Sequence, residues 1–278
     1  MNRETFNTSQ NGLGAARHGL KSALLMLAVG LTLNARADTS WTGAAGDGLW
    51  TTAGNWSLGV VPQPGQGAMF INNQTMGTTV TLNSTATYNG DIYGPEWGMK
   101  LNVAGGSLTS LGFAFAPVGA TANPSVINVS GGGYLEVGEL LLGDNWWFNT
   151  APGVDLNITG NSTVKARGWT WIGGKINLDS GILDIGGSVN LNAGAQNNAQ
   201  VDIEGGTWIV RGANISGNVA TWIGSGQLTA YGGSGTIQVD TTTLPGGTII
   251  TAVVPEPTSL SLLGLGAILG ARFLRRRA

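Results

Sequence analysis

Asp202 and Glu204 stand two residues apart in VDIEGG, and on an extended strand side chains at that spacing point to one side. Two carboxylates on one face can cleave a glycosidic bond, one acting as acid and the other as base or nucleophile. Glu136 with Glu139 and Asp179 with Asp184 are further close pairs. Thirteen acids spread over residues 38–254 also give such pairs by chance. The sequence therefore nominates no catalytic residue, and the chain is expected not to be an enzyme; the competing class is a carboxylate-based polysaccharide lyase or glycosidase. Other chemistry is excluded more firmly. There is no cysteine, and the one histidine is His18, so residues 38–254 hold neither a Ser–His–Asp nor a Cys–His set, nor the nitrogen and sulfur ligands of a zinc site. GGSGTIQV (232–239) approaches a glycine-rich calcium repeat but has Ile237 where an aspartate is needed. No metal or cofactor is expected.

The ten tryptophans all lie after residue 37. An exposed indole offers a flat apolar face to a sugar ring. Trp146 and Trp147 must point opposite ways if extended, while Trp169 and Trp171 share a side, as would Trp171 and Trp222 if the two TWIG segments, 170–173 and 221–224, stacked. These five are the candidate carbohydrate contacts. The competing role for indoles is to cover the ends and corners of the fold.

The elements that would carry these residues recur. An aliphatic–Asn–aliphatic triplet, a glycine turn and a second short β-like run appear in LNVAGGSLTS (101–110), INVSGGGYLEV (127–137), LNITGNSTVKA (156–166) and INLDSGILDI (176–185), with VDIEGGTWIV (201–210) as a variant. Short strands of period two repeated every twenty to thirty residues, with 47 glycines and only 10% charged residues, suggest a parallel β-helix or a β-sandwich of hairpins and no helix in this middle region; recurrence of one residue type at one place in each unit favours stacked coils. The fold class is all-β, a right-handed parallel β-helix of roughly six coils between Met99 and Val254. Inward Val, Ile and Leu would fill its bore, glycines would serve corners needing positive φ, and Asn102, Asn128, Asn157 and Asn177 would stack as a ladder along one edge.

The two ends differ from the middle. Arg17, His18 and Lys21, the apolar run 22–33 and the small residues Ala35 and Ala37 read as a secretory signal of residues 1–37, cut by signal peptidase. Residues 38–254 then carry five bases against thirteen acids, a net charge of −8, which offers no attraction for nucleic acid or anionic lipid. At the other end Pro255, Glu256 and Pro257 precede an apolar run, 259–271, and the basic Arg275, Arg276 and Arg277. Two prolines around an acid hold an extended, accessible segment. The run is short for a bilayer, yet basic residues at both ends agree on a topology that leaves 38–254 outside the cytoplasm.

That order of Pro-Glu-Pro, hydrophobic helix and terminal arginines resembles the PEP-CTERM sorting signal of Gram-negative bacteria. The resemblance implies recognition by an exosortase, a membrane-embedded transpeptidase that acts near Pro-Glu-Pro, and delivery toward the outer surface and its polysaccharide matrix. WTGAAGDGLWTTAGNWSLGVVPQPGQGAMF (41–70) resembles the tryptophan-rich opening ahead of autotransporter-associated β-helix repeats, and implies a cap on the first coil. The expected organisation is a signal peptide and its helix at 1–37, a Trp-rich cap with first coils at 38–98, β-helix repeats at 99–254 and a sorting signal with a hydrophobic helix at 255–278. The expected function is that of an exported structural or adhesive protein of the cell surface or biofilm matrix, with exosortase, signal peptidase and exopolysaccharide as partners. Its C-terminal helix would hold it transiently in the inner membrane. A polysaccharide-binding module is the further alternative.

Overall fold

The computed structural model describes residues 37–71, 78–96, 98–114, 125–143, 153–191 and 199–254. The expected signal and tail helices, the cleavage residue Ala35, the sorting residues 255–257 and 275–277, and Trp146 and Trp147 lie outside them. Two short strands, β1 (Thr39–Ser40) and β2 (Met69–Phe70), lead into five turns of three strands each. The first turn is β3 (Thr79–Leu82), β4 (Thr85–Tyr88) and β5 (Ile92–Tyr93); the second is β6 (Lys100–Ala104), β7 (Ser107–Ser110) and β8 (Phe113–Ala114). The third is β9 (Ser125–Ser130), β10 (Tyr134–Val137) and β11 (Glu139–Leu142). Then come β12 (Val154–Ile158), β13 (Thr163–Ala166) and β14 (Thr170–Ile172), followed by β15 (Lys175–Leu178), β16 (Ile182–Ile185) and β17 (Val189–Leu191).

Each strand pairs in parallel with its counterpart one turn on, so three sheets run along a β-solenoid. The first sheet collects the leading strand of every turn, the second the middle strand, and the third the last strand together with β1 and β2. The alternation in the sequence decides the faces. Leu101 and Val103, Ile127 and Val129, Leu156 and Ile158, and Ile176 and Leu178 are all completely buried in the bore. Each such side chain contributes about 1.5–3 kcal/mol relative to exposure. The asparagine between each pair must then point out, and parallel pairing sets Asn102, Asn128, Asn157 and Asn177 directly above one another. The ladder forms as expected: Asn128 Nδ2 donates to Asn102 Oδ1 (2.8 Å), Asn157 to Asn128 (2.8 Å) and Asn177 to Asn157 (2.6 Å).

Glycine serves the corners in two ways. Gly131 and Gly160, between the first and second sheets, have φ of +62° and +63°, the left-handed region that L side chains avoid. At Gly186, between the second and third sheets, φ is ordinary, but a Cβ would lie 2.1 Å from the carbonyl oxygen of Arg167 on the previous turn. There the requirement is close approach of one turn to the next, which the expectation of positive φ did not cover.

Beyond β17 the repeat starts again with β18 (Gln200–Ile203) and β19 (Thr207–Val210), then stops. The chain forms a helix, α1 (Ser216–Gly224), then β20 (Leu228–Ala230), β21 (Thr236–Asp240) and β22 (Thr248–Val253). β20 continues the first sheet in parallel, while β22 pairs antiparallel with both β19 and β21. Two expectations are corrected here. Helix α1 lies in a region predicted to be free of helices, and only four complete turns, β6 to β17, lie beyond Met99, because residues 211–254 are occupied largely by this cap. The physical reason is the open bore: Val219 and Trp222, three residues apart, share one side of α1 and are buried in the core, and Trp222 stacks on Trp208 (5.9 Å, 11° between planes).

The first end is closed by indoles. Trp41, Trp50 and Trp56 are buried and meet edge to face, Trp56 lying 5.1 Å from Trp41 and 4.9 Å from Trp50. Buried Asn55 ties the loop around them, donating to Asp47 Oδ1 (2.6 Å) and to the Leu49 carbonyl (3.0 Å). Leu49 in turn bridges in parallel to Thr81 of β3.

Asn128→Ala should lower unfolding stability by about 1–2 kcal/mol through loss of two ladder bonds. Gly186→Ala should cost more, because its new methyl meets backbone that cannot rotate away. Denaturant unfolding of both variants measures this; a wild-type midpoint in Asn128→Ala would show that the ladder contributes nothing.

Candidate functional site

The outer face of the second sheet gathers the densest set of charged groups among the described residues. Glu136 of β10, Lys165 of β13 and Asp184 of β16 occupy successive positions of one rank. All three alternate with bore residues, so they point outward. Glu136 is nonetheless only 8% exposed, because its neighbours fold over it. Arg167 Nε donates to Glu136 Oε1 at 2.8 Å, Lys165 Nζ lies 2.9 Å from the same oxygen, and the Tyr134 hydroxyl donates to Oε2 at 2.8 Å. Two turns on from Glu136, Arg211 Nε and Nη2 donate to the two oxygens of Asp184 at 2.6 and 2.7 Å. This two-pronged geometry suits a planar guanidinium and a carboxylate.

The donors around Glu136, Arg167 foremost, outweigh the effect of burial and hold its carboxyl at about 2, below the usual 4.5. Burial, and then the bond to Glu136, push the Tyr134 hydroxyl up to about 12. Asp184 is 8% exposed. Both carboxylates lie beneath the cations they hold.

The other sequence candidates are placed differently. Asp202 and Glu204 were expected to share a strand face, but β18 ends at Ile203 and Glu204 lies in the exposed turn beyond it. Asp202 instead continues the asparagine rank, accepting from the Thr229 hydroxyl (2.6 Å) and the Gly232 amide. Asp179 sits in an exposed turn away from the strand that carries Asp184. Glu139 begins β11 on the third sheet, one residue past the corner that follows Glu136. Among the described residues no three acidic or other metal-ligating side chains converge, and no helix is long and apolar enough to cross a membrane.

Of the tryptophans, Trp169 and Trp171 meet edge to face at 6.4 Å, both half-buried, with Trp171 on the outer face of the third sheet in register with Leu141 and Asn190. Trp222 does not stack with Trp171: its TWIG segment is helical, and at 6% exposure against Trp208 it closes the bore. The ionic rank was missed at the sequence level, although a signal was available. Aligning GGGYLEV on GNSTVKA sets Glu136 opposite Lys165.

β22 ends at Val253, and there a different kind of site begins. Residues 253–277 match the PEP-CTERM protein-sorting motif. The match takes in Pro255, Glu256, Pro257, Arg275, Arg276 and Arg277, and with it export, cell-surface sorting and processing by an exosortase are supported. No curated protein and no solved structure matches the chain significantly.

A carboxyl held below its ordinary value stabilises the fold above pH 4.5, and that stabilisation is lost as pH falls toward about 2. A hydroxyl held above its ordinary 10 stabilises below that pH and loses the effect as pH rises toward about 12. Unfolding measured across pH should therefore show both declines, Glu136→Gln should flatten the acid limb and Tyr134→Phe the alkaline one.

Proposed function

We propose that this is an exported β-solenoid whose role at the cell surface is structural or adhesive, a rigid body carried outside the cytoplasm between two consumable ends. The observation that carries the reading is the sorting motif starting where the last strand of the cap stops. Residues 1–37 are the signal peptide, with Ala35 and Ala37 read by signal peptidase, and the apolar run behind Pro-Glu-Pro holds the chain at the inner membrane until an exosortase acts. The solenoid suits such a role physically. Both ends of its bore are covered by indoles, and with no cysteine its stability rests on no disulfide. A chain with no cysteine is indifferent to the redox state of the compartment it enters.

The matrix around such a protein is polysaccharide, and one observation favours contact with it: Trp169 and Trp171 lie together, half-buried, at the outer surface of the third sheet. Indole faces there suit neutral sugar rings. Cleavage of a glycan is the less favoured reading, since Glu136, Asp184 and Asp202 are each held in hydrogen bonds to neighbouring side chains or backbone.

A periplasmic reporter fused to residues 254–278 should be shortened in a host that contains an exosortase and stay intact in one that does not. Glu256→Ala should block the shortening. Unchanged reporter size in both hosts, or equal shortening of the Glu256→Ala fusion, contradicts the assignment.

A further inference from the structure

The positive charge of residues 38–254 is placed unevenly. Of the five bases, Lys100 and Lys175 begin strands of the first sheet, while Lys165, Arg167 and Arg211 all belong to the second sheet and its exit turns. The carboxylates beneath them are covered, with side chains 11% exposed for both Glu136 and Asp184. The cations are not: their side chains are 39%, 45% and 49% exposed. A ligand approaching this strip meets positive groups first, on a body that is otherwise strongly acidic. Arg167 uses Nε on Glu136 and Arg211 uses Nε and Nη2 on Asp184. The other N–H groups of each five-donor fork have no hydrogen-bond partner among the described residues. Those carboxylates also fix the direction of the forks, so little freedom is lost when an anion docks.

We propose that the strip formed by Lys165, Arg167 and Arg211 on the second sheet binds an acidic polysaccharide, with Arg167 and Arg211 each taking a carboxylate of one chain laid along the solenoid. This rests on the surface role proposed above, because only outside the cytoplasm does the face meet such a polymer. Spacing selects the class of ligand. Ala166, Ile185 and Val210 are in register on consecutive turns, so Arg167 and Arg211 are two turns apart, with Gly186 between them. Strands one turn apart are separated by about 4.8 Å, which puts the two guanidinium groups about 10 Å apart along the axis. Each strand of a nucleic acid duplex carries a charge about every 3.4 Å of its axis, so most of the phosphates would lie unmatched against a body of net charge −8. A glycan with a carboxylate on every sugar, or every second sugar, is sparse enough to match. Glu139, beyond the corner beside Gly168, is the acidic limit of the strip.

The test uses full-length protein and three immobilised probes: a polyuronate, the same polymer after its carboxyl groups have been reduced to alcohols, and double-stranded DNA. Retention on the polyuronate at low salt should exceed that on the other two by about tenfold, the scale of one lost charge-assisted contact, and should fall as salt rises. Arg167→Gln with Arg211→Gln should weaken polyuronate binding by about tenfold or more, whereas Glu139→Gln should leave it equal or tighter. Should the double variant fail to fold, Lys165→Gln alone, which leaves both arginines on their carboxylates, should still weaken binding measurably. Equal retention on the reduced polymer, tighter retention on DNA, no retention of the wild type, or unchanged binding by folded variants each overturns the proposal. The readout needs no processing of the tail, so it fails or succeeds independently of the reporter fusion.

Discussion

One constraint governs this protein: successive turns must stack in register at the separation of neighbouring β-strands, about 4.8 Å. Every residue therefore has a defined neighbour above and below, and no side chain can be chosen alone. Between the first two sheets the constraint demands positive φ, met by Gly131 and Gly160. Between the second and third it demands backbone against backbone, and at Gly186 even a methyl group would strike the previous turn. On the outward faces it turns a polar residue recurring in the sequence into a continuous rank, giving the asparagine ladder on one sheet and the alternating charges Glu136, Lys165 and Asp184 on another.

Stacking of this kind has no natural end, and much of what departs from the repeat exists to stop it. The opening loop inserts three indoles into the bore, fastened by Asn55 and Asp47. At the other end a strand pair running the opposite way, β21 and β22, replaces the parallel rule on the second sheet, and α1 lays Trp222 over Trp208. An uncapped end would expose unpaired backbone and an apolar bore, an invitation to stack with another molecule. The cost is a set of buried indole nitrogens, those of Trp41, Trp50 and Trp208, with no hydrogen-bond partner among the described residues.

How far the sequence predicts this depends on whether a residue obeys the repeat. The triplets around Asn102, Asn128, Asn157 and Asn177 repeat openly, and both their strand placement and their stacking were legible. The turn count was not, because VDIEGGTWIV looks like one more unit and nothing in its own ten residues says that the bore is about to close. TWIG at 221–224 shows the limit most plainly. It has the same four letters as 170–173, yet one copy is strand β14 with its turn and the other the end of a helix, since the first has a turn to stack on and the second has an opening to fill. The fate of the carboxylates was also hidden, because pairing by nearness in sequence joins Glu136 to Glu139, whereas the fold joins it to Arg167, a full turn away.

The boundary between body and tail has a further consequence. The matched motif starts on Val253, the residue that ends β22, so no spacer separates the two. Two residues can reach no more than about 7 Å. Anything that acts at Pro255 therefore works within that distance of the end of the strand that holds β19 and β21 together.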